Sequence, residues 1–339
     1  MAMPHRIAIA GLLAAMALGT AIPAAAEGTY TLQFENDRIA NTDRHYTTGM
    51  RLSWVSDSKR PGASPQWARD TLNFIYRQVN ARVEGRIGLA LGQNIFTPED
   101  TAARNLVIGD RPYAGWLYGG ISAHAEASSS FPGIALKTLD TIEIDIGVVG
   151  PLALGEQVQN NFHDLIGVNR SNGWDHQLEN EPGILFIVER RWRPQPLGLG
   201  PVDADIIPHM GASLGNVMTL ANAGVTVRVG QKLDVDYGPP HVRPTLSGLA
   251  AVAGGTDFAW YLFAGAEGRF VARNIFLDGN TFASSHSVDK KPFVADIQTG
   301  AAIVVNDIRL AFTHVFRTRE FKGQRRADRY GAVSVSARF

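Results

Sequence analysis

Apolar and polar residues alternate with a period of two, in segments close to the ~10-residue length of an outer-membrane strand. This feature constrains the chain more than any other. Tyr30, Leu32 and Phe34 alternate with Thr31, Gln33 and Glu35. Ile142, Ile144, Ile146 and Val148 alternate with Thr141, Glu143, Asp145 and Gly147. The final segment sets Gly331, Val333, Val335, Ala337 and Phe339 against Ala332, Ser334, Ser336 and Arg338. Each pattern is that of a strand with one apolar and one polar face. Further segments at 46–56, 84–94, 112–126, 183–192, 203–214, 219–230, 257–272, 291–304 and 306–317 bring the total to roughly twelve strands. Asn306-Asp307, between Val305 and Ile308, reads as a tight hairpin turn.

A soluble sandwich also alternates, but its strands usually run only ~5–6 residues. Tyr30, Trp54, Trp116, Trp192, Trp260 and Phe339 lie at or near segment ends, where the aromatic girdles of a membrane barrel sit. A last strand finishing on Phe339 resembles the terminal signal of bacterial outer-membrane barrels. The expected fold is therefore all-β, a transmembrane antiparallel barrel of about 12 strands, occupying 27–339.

Residues 1–26 read as a secretory signal peptide: His5 and Arg6, an apolar stretch from Ile7 to Thr20, then Ala24-Ala25-Ala26. Its removal takes away one basic residue and no acidic one, leaving a net charge of −1. That balance excludes the basic footprint of a nucleic-acid partner. The absence of Cys excludes disulfides, thiolate metal sites and cysteine nucleophiles.

With a periplasmic N-terminus, odd strands run outward and 38–45, 95–111 and 150–182 become outer connections. Long connections at 57–83 and 231–256 fall on the periplasmic side, where turns are normally short. They either fold back as small helices or mark a local miscount. The third outer connection predicts one helix, Gly155 to Val168, with Val158, Phe162, Leu165 and Ile166 on one face. This short amphipathic helix needs an apolar surface to lie against, either the barrel wall or the lipid beside it.

The first outer rim holds the densest polar cluster, Glu35-Asn36-Asp37 followed by 42–49. Asn36 has the parity of the lipid-facing Tyr30, Leu32 and Phe34, a costly place for an amide unless something covers it. Asp37 points the other way, so the two serve one site only if the strand ends or bulges there. On chemistry alone, a solvated strand end with an Asx turn describes the cluster better. His163 lies beside the apolar stripe of the predicted helix, which is also how a surface histidine sits. Loop parity nevertheless brings it to the same rim as Asn36 and Thr47, where a neutral imidazole is suited to general-base work.

Two shorter patterns carry less. Gly211-Ala212-Ser213-Leu214-Gly215 has the G-x-S-x-G form but sits between two strands, without the strand-to-helix elbow that gives the motif meaning. Ser56-Asp57-Ser58-Lys59 is short enough to arise by chance.

Several spaced motifs resemble the lipid A 3′-O-deacylase (LpxR-like) family of outer-membrane barrels. They are Asn36-Asp37, Thr42-Asp43 with Tyr46-Thr47 and Gly49, and Gly92 to Pro98 continuing to Gly109-Asp110-Arg111. Asp145 to Pro151, Gly155 to Asn160, His163, Ile166-Gly167, Trp174 and Gln177 to Asn180 continue the series. The resemblance is clear over roughly 28–182.

It implies a calcium-dependent, twelve-stranded esterase that releases the 3′-linked acyloxyacyl group of lipid A in the bacterial outer membrane. His163 would activate water, Asp37 would help hold Ca²⁺, and Asn36 and Thr47 would line the site and help place the oxyanion. Lipid A, as part of lipopolysaccharide, would be the substrate, with outer-membrane lipid around a monomeric barrel. Asp43 is either a metal ligand or a loop cap. One departure stands out: a glutamate can follow the family's histidine by six residues, where this chain has Asn169. Asp164, Glu179 and Asp110 are candidates to replace it. Two other readings remain, an outer-membrane phospholipase with Ser213 as nucleophile and a non-enzymatic barrel or narrow pore.

Overall fold

The computed structural model describes residues 28–40, 42, 44–57, 82–131, 134–238 and 257–339. Residues 1–26, read from the sequence as a signal peptide, together with Asp43, Ser58-Lys59 and most of the connections 57–83 and 231–256, lie outside the described residues. The sheet contains thirteen strand segments, one of them the two-residue ladder Leu197–Gly198. The other twelve form a closed up-and-down barrel: β1 (Gly28–Asn36), β2 (His45–Ser56), β3 (Arg82–Thr97), β4 (Ala114–Phe131), β5 (Ile134–Val149), β6 (Glu181–Pro194), β7 (Asp203–Gly215), β8 (Met218–Gln231), β9 (Phe258–Asn274), β10 (Phe293–Val305), β11 (Ile308–Arg317) and β12 (Asp328–Arg338). Each strand pairs antiparallel with its chain neighbour, and β12 returns to β1 with Asn36 opposite Gly331. Closure leaves no unpaired edge, the condition for crossing a bilayer with strands.

The expected strand count and the Asn306-Asp307 hairpin are observed; Asn306 takes the left-handed φ of 53° that asparagine tolerates. Most strands run longer than alternation alone marks. β5, for example, begins at Ile134, ahead of the regular pattern at Thr141. The long periplasmic connection after β8 does fold back in its described part. A 3₁₀ turn at Leu233–Val235 tucks Leu233, Val235 and Asp236 into the barrel.

Tyr30, Trp54, Trp192, Trp260 and Phe339 all fall at the periplasmic ends of their strands, and Tyr30 meets Phe339 edge-on at 5.9 Å. Trp116 is the exception to the expected girdle. It points into the lumen, 1% exposed and stacked on Tyr118 at 5.4 Å. Position near a segment end does not fix the face; parity does, and Trp116 shares parity with inward-facing Ala114 and Tyr118.

The lumen is filled by paired charges. Arg228 bonds both oxygens of Asp205 and reaches Asp236, which also accepts from Arg309 and Tyr261 at 2.9 Å. Arg317 grips Asp296, and Arg51 reaches Glu143 at 2.8 Å. Near the outer mouth a one-turn helix, Ile275–Asp278, inserts Phe276 onto Phe96 with ring centroids 4.0 Å apart. This packing is the opposite of an open channel and disfavours the pore reading.

Candidate active site on the outer wall

The long outer connection after β5 forms the expected helix, here α1 (Gly155–Ile166). It lies on the lipid-facing side of β4, because Gly115 and Gly155 have no side chains to separate them. A Cβ on Gly115 would come within 2.9 Å of Ala153 and 3.3 Å of the Gly155 nitrogen. Gln93 of β3 ties down the helix start by donating to the Ala153 carbonyl at 2.6 Å. Two further contacts set its course along the wall. Val158 packs against Ile95, Tyr113 and Trp174, and the Phe162 ring meets Phe34 of β1 at 6.1 Å.

The face it buries differs from expectation. Gly155, Gln159 and His163, at i, i+4 and i+8, are the buried residues, whereas Leu165 is 76% exposed. The apolar stripe is split between wall and lipid, and the polar stripe turns inward. The Trp174 indole N–H donates to Gln159 at 3.0 Å, and Asn160 accepts from the Ser171 backbone at 2.9 Å. His163 is 2% exposed, so the surface-histidine reading is set aside.

Gly167 ends α1 at a φ of 71°, with Gly167 N–H bonding the Asp164 carbonyl and Val168 N–H the His163 carbonyl. This is the 5→2 and 6→1 pair of a Schellman turn. The reversal returns the Asn169 carbonyl to His163 Nδ1 at 2.7 Å. A carbonyl only accepts, so this contact assigns the Nδ1–H tautomer and leaves Nε2 with the lone pair. Position 169 thus orients the imidazole through its backbone carbonyl. Asp164 turns instead to Arg170, whose hydrogen bond holds the exposed carboxyl below its ordinary range.

Beneath the helix lies a polar strip. β1 ends at Asn36 and Asp37 opens a 3₁₀ turn, Asp37–Ala40, which brings both residues to one rim. Asn36 is 1% exposed. Its Nδ2 donates to the Thr47 carbonyl at 2.9 Å and to Thr48 Oγ1 at 3.0 Å, while its Oδ1 accepts the Arg38 N–H at 2.9 Å. The β2–β3 register shifts between Tyr46 and Thr48, so Thr47 sits at a bulge, its hydroxyl 2.9 Å from that of Thr97. Asp37 is buried, with Oδ2 accepting the Arg44 N–H at 2.6 Å. Asn36, Thr47 and Asp37 are therefore assembled in one place. The helix bearing His163 crosses this stretch of wall between its contacts with Phe34 on β1 and Ile95 on β3.

Asp110, a candidate partner for His163, is engaged elsewhere. Inside the mouth, His45 Nδ1 faces Asp328 at 2.8 Å and Nε2 faces Asp110 at 3.2 Å. Burial raises the Asp110 carboxyl, but the His45 hydrogen bond and charge and the Glu99 and Arg111 N–H groups outweigh it, giving a net lowering. An imidazole held between two carboxylates is a clamp rather than a base. Ser213 also points into the barrel, 3% exposed, on a strand that turns straight into β8. No elbow supports it as a nucleophile.

The model of the outer membrane protein LpxR family matches residues 7–339. The chain belongs to the LpxR family. Among solved structures, LpxR from Salmonella typhimurium superposes with a TM-score of 0.73 at 21% identity, covering 92% of this chain and all of that one. Weaker likenesses link it to two autotransporter domains. NalP from Neisseria meningitidis has TM-score 0.41 and 13% identity over 99% of this chain and 98% of that one; BrkA from Bordetella has 0.42 and 10% over 93% and 100%. Those two scores support no functional argument. No protein of curated function matches. LpxR-family membership and the closed barrel place this protein in the outer membrane.

Several residues of the motifs that resemble the LpxR family have structural roles here, since Gln159, Asn160, Gly167 and Trp174 hold α1 in place. Sequence reading missed Thr97 and the Asn169 carbonyl. Thr97 has the lipid-facing parity of Gln93 and Ile95, the same signal that marked Asn36, but a strand ended at 94 hides it. Nothing in side-chain pattern announces a carbonyl. Among the described residues no three or more His, Asp or Glu side chains gather as a metal site.

Proposed function

We propose that this protein is a lipid A deacylase that hydrolyses the ester of the 3′-linked acyloxyacyl chain, with His163 as general base. The observation that carries the reading is a buried histidine with its tautomer fixed by the Asn169 carbonyl, on a helix laid over a polar strip of the lipid-facing wall. A polar strip there faces lipid, so its substrate reaches it sideways from the outer leaflet.

The chemistry follows from the groups present. His163 Nε2 accepts a proton from water as the water oxygen bonds to the ester carbonyl carbon. Negative charge gathers on the carbonyl oxygen, and the imidazolium returns the proton to the departing sugar oxygen as the C–O bond breaks. Both Asn36 N–H groups are occupied in the resting structure. The bond to Thr48 Oγ1 is the exchangeable one, because a hydroxyl rotates to another partner. Its release frees one N–H for the oxyanion. Thr47 shapes the strip through its bulge and its hydroxyl.

The oxygen-rich strip suits a hard cation in kind: the Asp37 carboxylate, the Thr47 and Thr97 hydroxyls, and water or substrate oxygens. Calcium held there by Asp37 would supply charge to offset the oxyanion.

The test is mass spectrometry of lipid A from a Gram-negative host expressing the protein, with calcium and with chelator. Loss of the 3′-acyloxyacyl mass, suppressed by chelator, supports the reading. Unchanged lipid A from protein folded in the outer membrane refutes the reaction, and chelator-insensitive loss refutes the metal.

A further inference from the structure

The wall opposite α1 carries a second feature that deacylation does not use. Between the outer ends of β8, β9, β10 and β11 is a groove of about 860 Å³, within the usual size of a ligand site. Its floor is low because Ala221, Ala223, Gly268 and Ala295 line it. A Cβ built on Gly268 meets nothing within 4 Å. Phe270 and Phe293 are exposed and in contact, ring centroids 5.4 Å apart, and Phe316 closes another side under the Arg329 guanidinium at 5.8 Å. The lower part of the groove is thus apolar and open to the membrane.

Its upper edge is strongly basic. Lys291, Arg319, Arg325 and Arg326 line the groove on the outer side, and no carboxylate among the described residues pairs with any of the four. Elsewhere this protein pairs its arginines closely, as at Arg228, Arg309 and Arg317. Cations left open directly above an apolar slot at outer-leaflet height complement one kind of occupant, a lipid with acyl chains below and phosphate above.

We infer that this groove is a binding site for a phosphorylated lipid of the outer leaflet, with Arg325 and Arg326 meeting the phosphate and the Gly268 to Ala295 floor seating an acyl chain. It is separate from the strip under α1 and stands whether or not that strip hydrolyses esters.

Photo-crosslinking in intact cells reads the groove directly. Benzoylphenylalanine replaces Phe293, and a control places it at lipid-facing Leu214, 66% exposed. We expect a light-dependent lipopolysaccharide adduct at 293, cut roughly thirtyfold by Arg325→Gln with Arg326→Gln, the loss of two surface charge contacts. Gly268→Trp, whose Cβ enters open space and whose ring fills the slot, should lower it similarly. The adduct at 214 should respond to neither change. In micelles, dephosphorylated lipid A should crosslink at 293 no better than at 214.

An adduct at 293 that is indifferent to the arginine changes, or equal for dephosphorylated lipid, overturns the proposal. Loss with the arginine changes but not with Gly268→Trp overturns the seated chain. Heat-modifiable gel migration of each variant reports folding. Lipid A acylation in the same cells separates this outcome from that of the deacylase reading.

Discussion

The inner face and the outer wall of this barrel both bury polar groups, but under opposite rules. In the lumen, Arg228, Asp205, Asp236, Arg309 and Tyr261 bond one another in a network of paired charges. On the outer wall, Asn36 and Thr97 sit where the strand pattern calls for apolar side chains and Thr47 sits at a bulge beside them; all three are buried, near the stretch crossed by the helix that carries buried His163. A polar interior is ordinary for an outer-membrane barrel, so its charges report on stability. A polar patch on the lipid face costs free energy unless covered, so it reports on function.

The sharpest way to break this comparison is to alter one group on each side. His163→Ala should lower deacylation by about 10²–10⁴-fold, the usual range for a general base, while heat-modifiability on gels stays that of wild type. Asp236→Asn should do the reverse. It leaves Arg228 and Arg309 without their shared anion and should destabilise the barrel by about 3–5 kcal/mol in urea unfolding, with turnover per folded molecule unchanged.

Asn36→Ala tests the oxyanion role and should lower kcat by about 10²–10³-fold with a smaller change in KM. Equal changes in both would assign Asn36 to holding the bulge instead. Gly167→Ala is milder. No other group lies within 4 Å of the added Cβ, so the cost is the left-handed φ of 71° alone, about 1–2 kcal/mol. Because it loosens the carbonyl that orients His163, kcat should fall and the acidic limb of the pH profile should move, with barrel stability nearly unchanged.

The smallest effect concerns the mouth. The Asp110 carboxyl is held below its ordinary range. Its stabilising contribution is therefore full above the unfolded-state value and is lost as pH falls through the lower folded value. Limited proteolysis of the 98–113 loop should accelerate in acid for wild type and depend less on pH in Asp110→Asn.

Strand order, count and facing were legible in the sequence because period-two alternation encodes them directly. The parity of Asn36 likewise marked a buried polar position on the outer wall before any geometry. What parity cannot state is what lies over a face, so the burial of Gln159 and His163 instead of Leu165 was hidden. It became visible only with Gly115 against Gly155 and Trp174 against Gln159. Backbone groups are also silent in sequence, which is why Asn169 looked like a lost carboxylate rather than a positioned carbonyl. Trp116 shows a further limit, since an aromatic near a strand end belongs to the girdle only when it faces lipid.

The most direct test of the outer-wall assignment sets two variants side by side, His163→Ala and Ser213→Ala, in lipid A deacylation per folded molecule. The account predicts that the first falls by about 10²–10⁴-fold and the second matches wild type. An active His163→Ala beside a dead Ser213→Ala would move the chemistry from the covered strip to the barrel interior and contradict it.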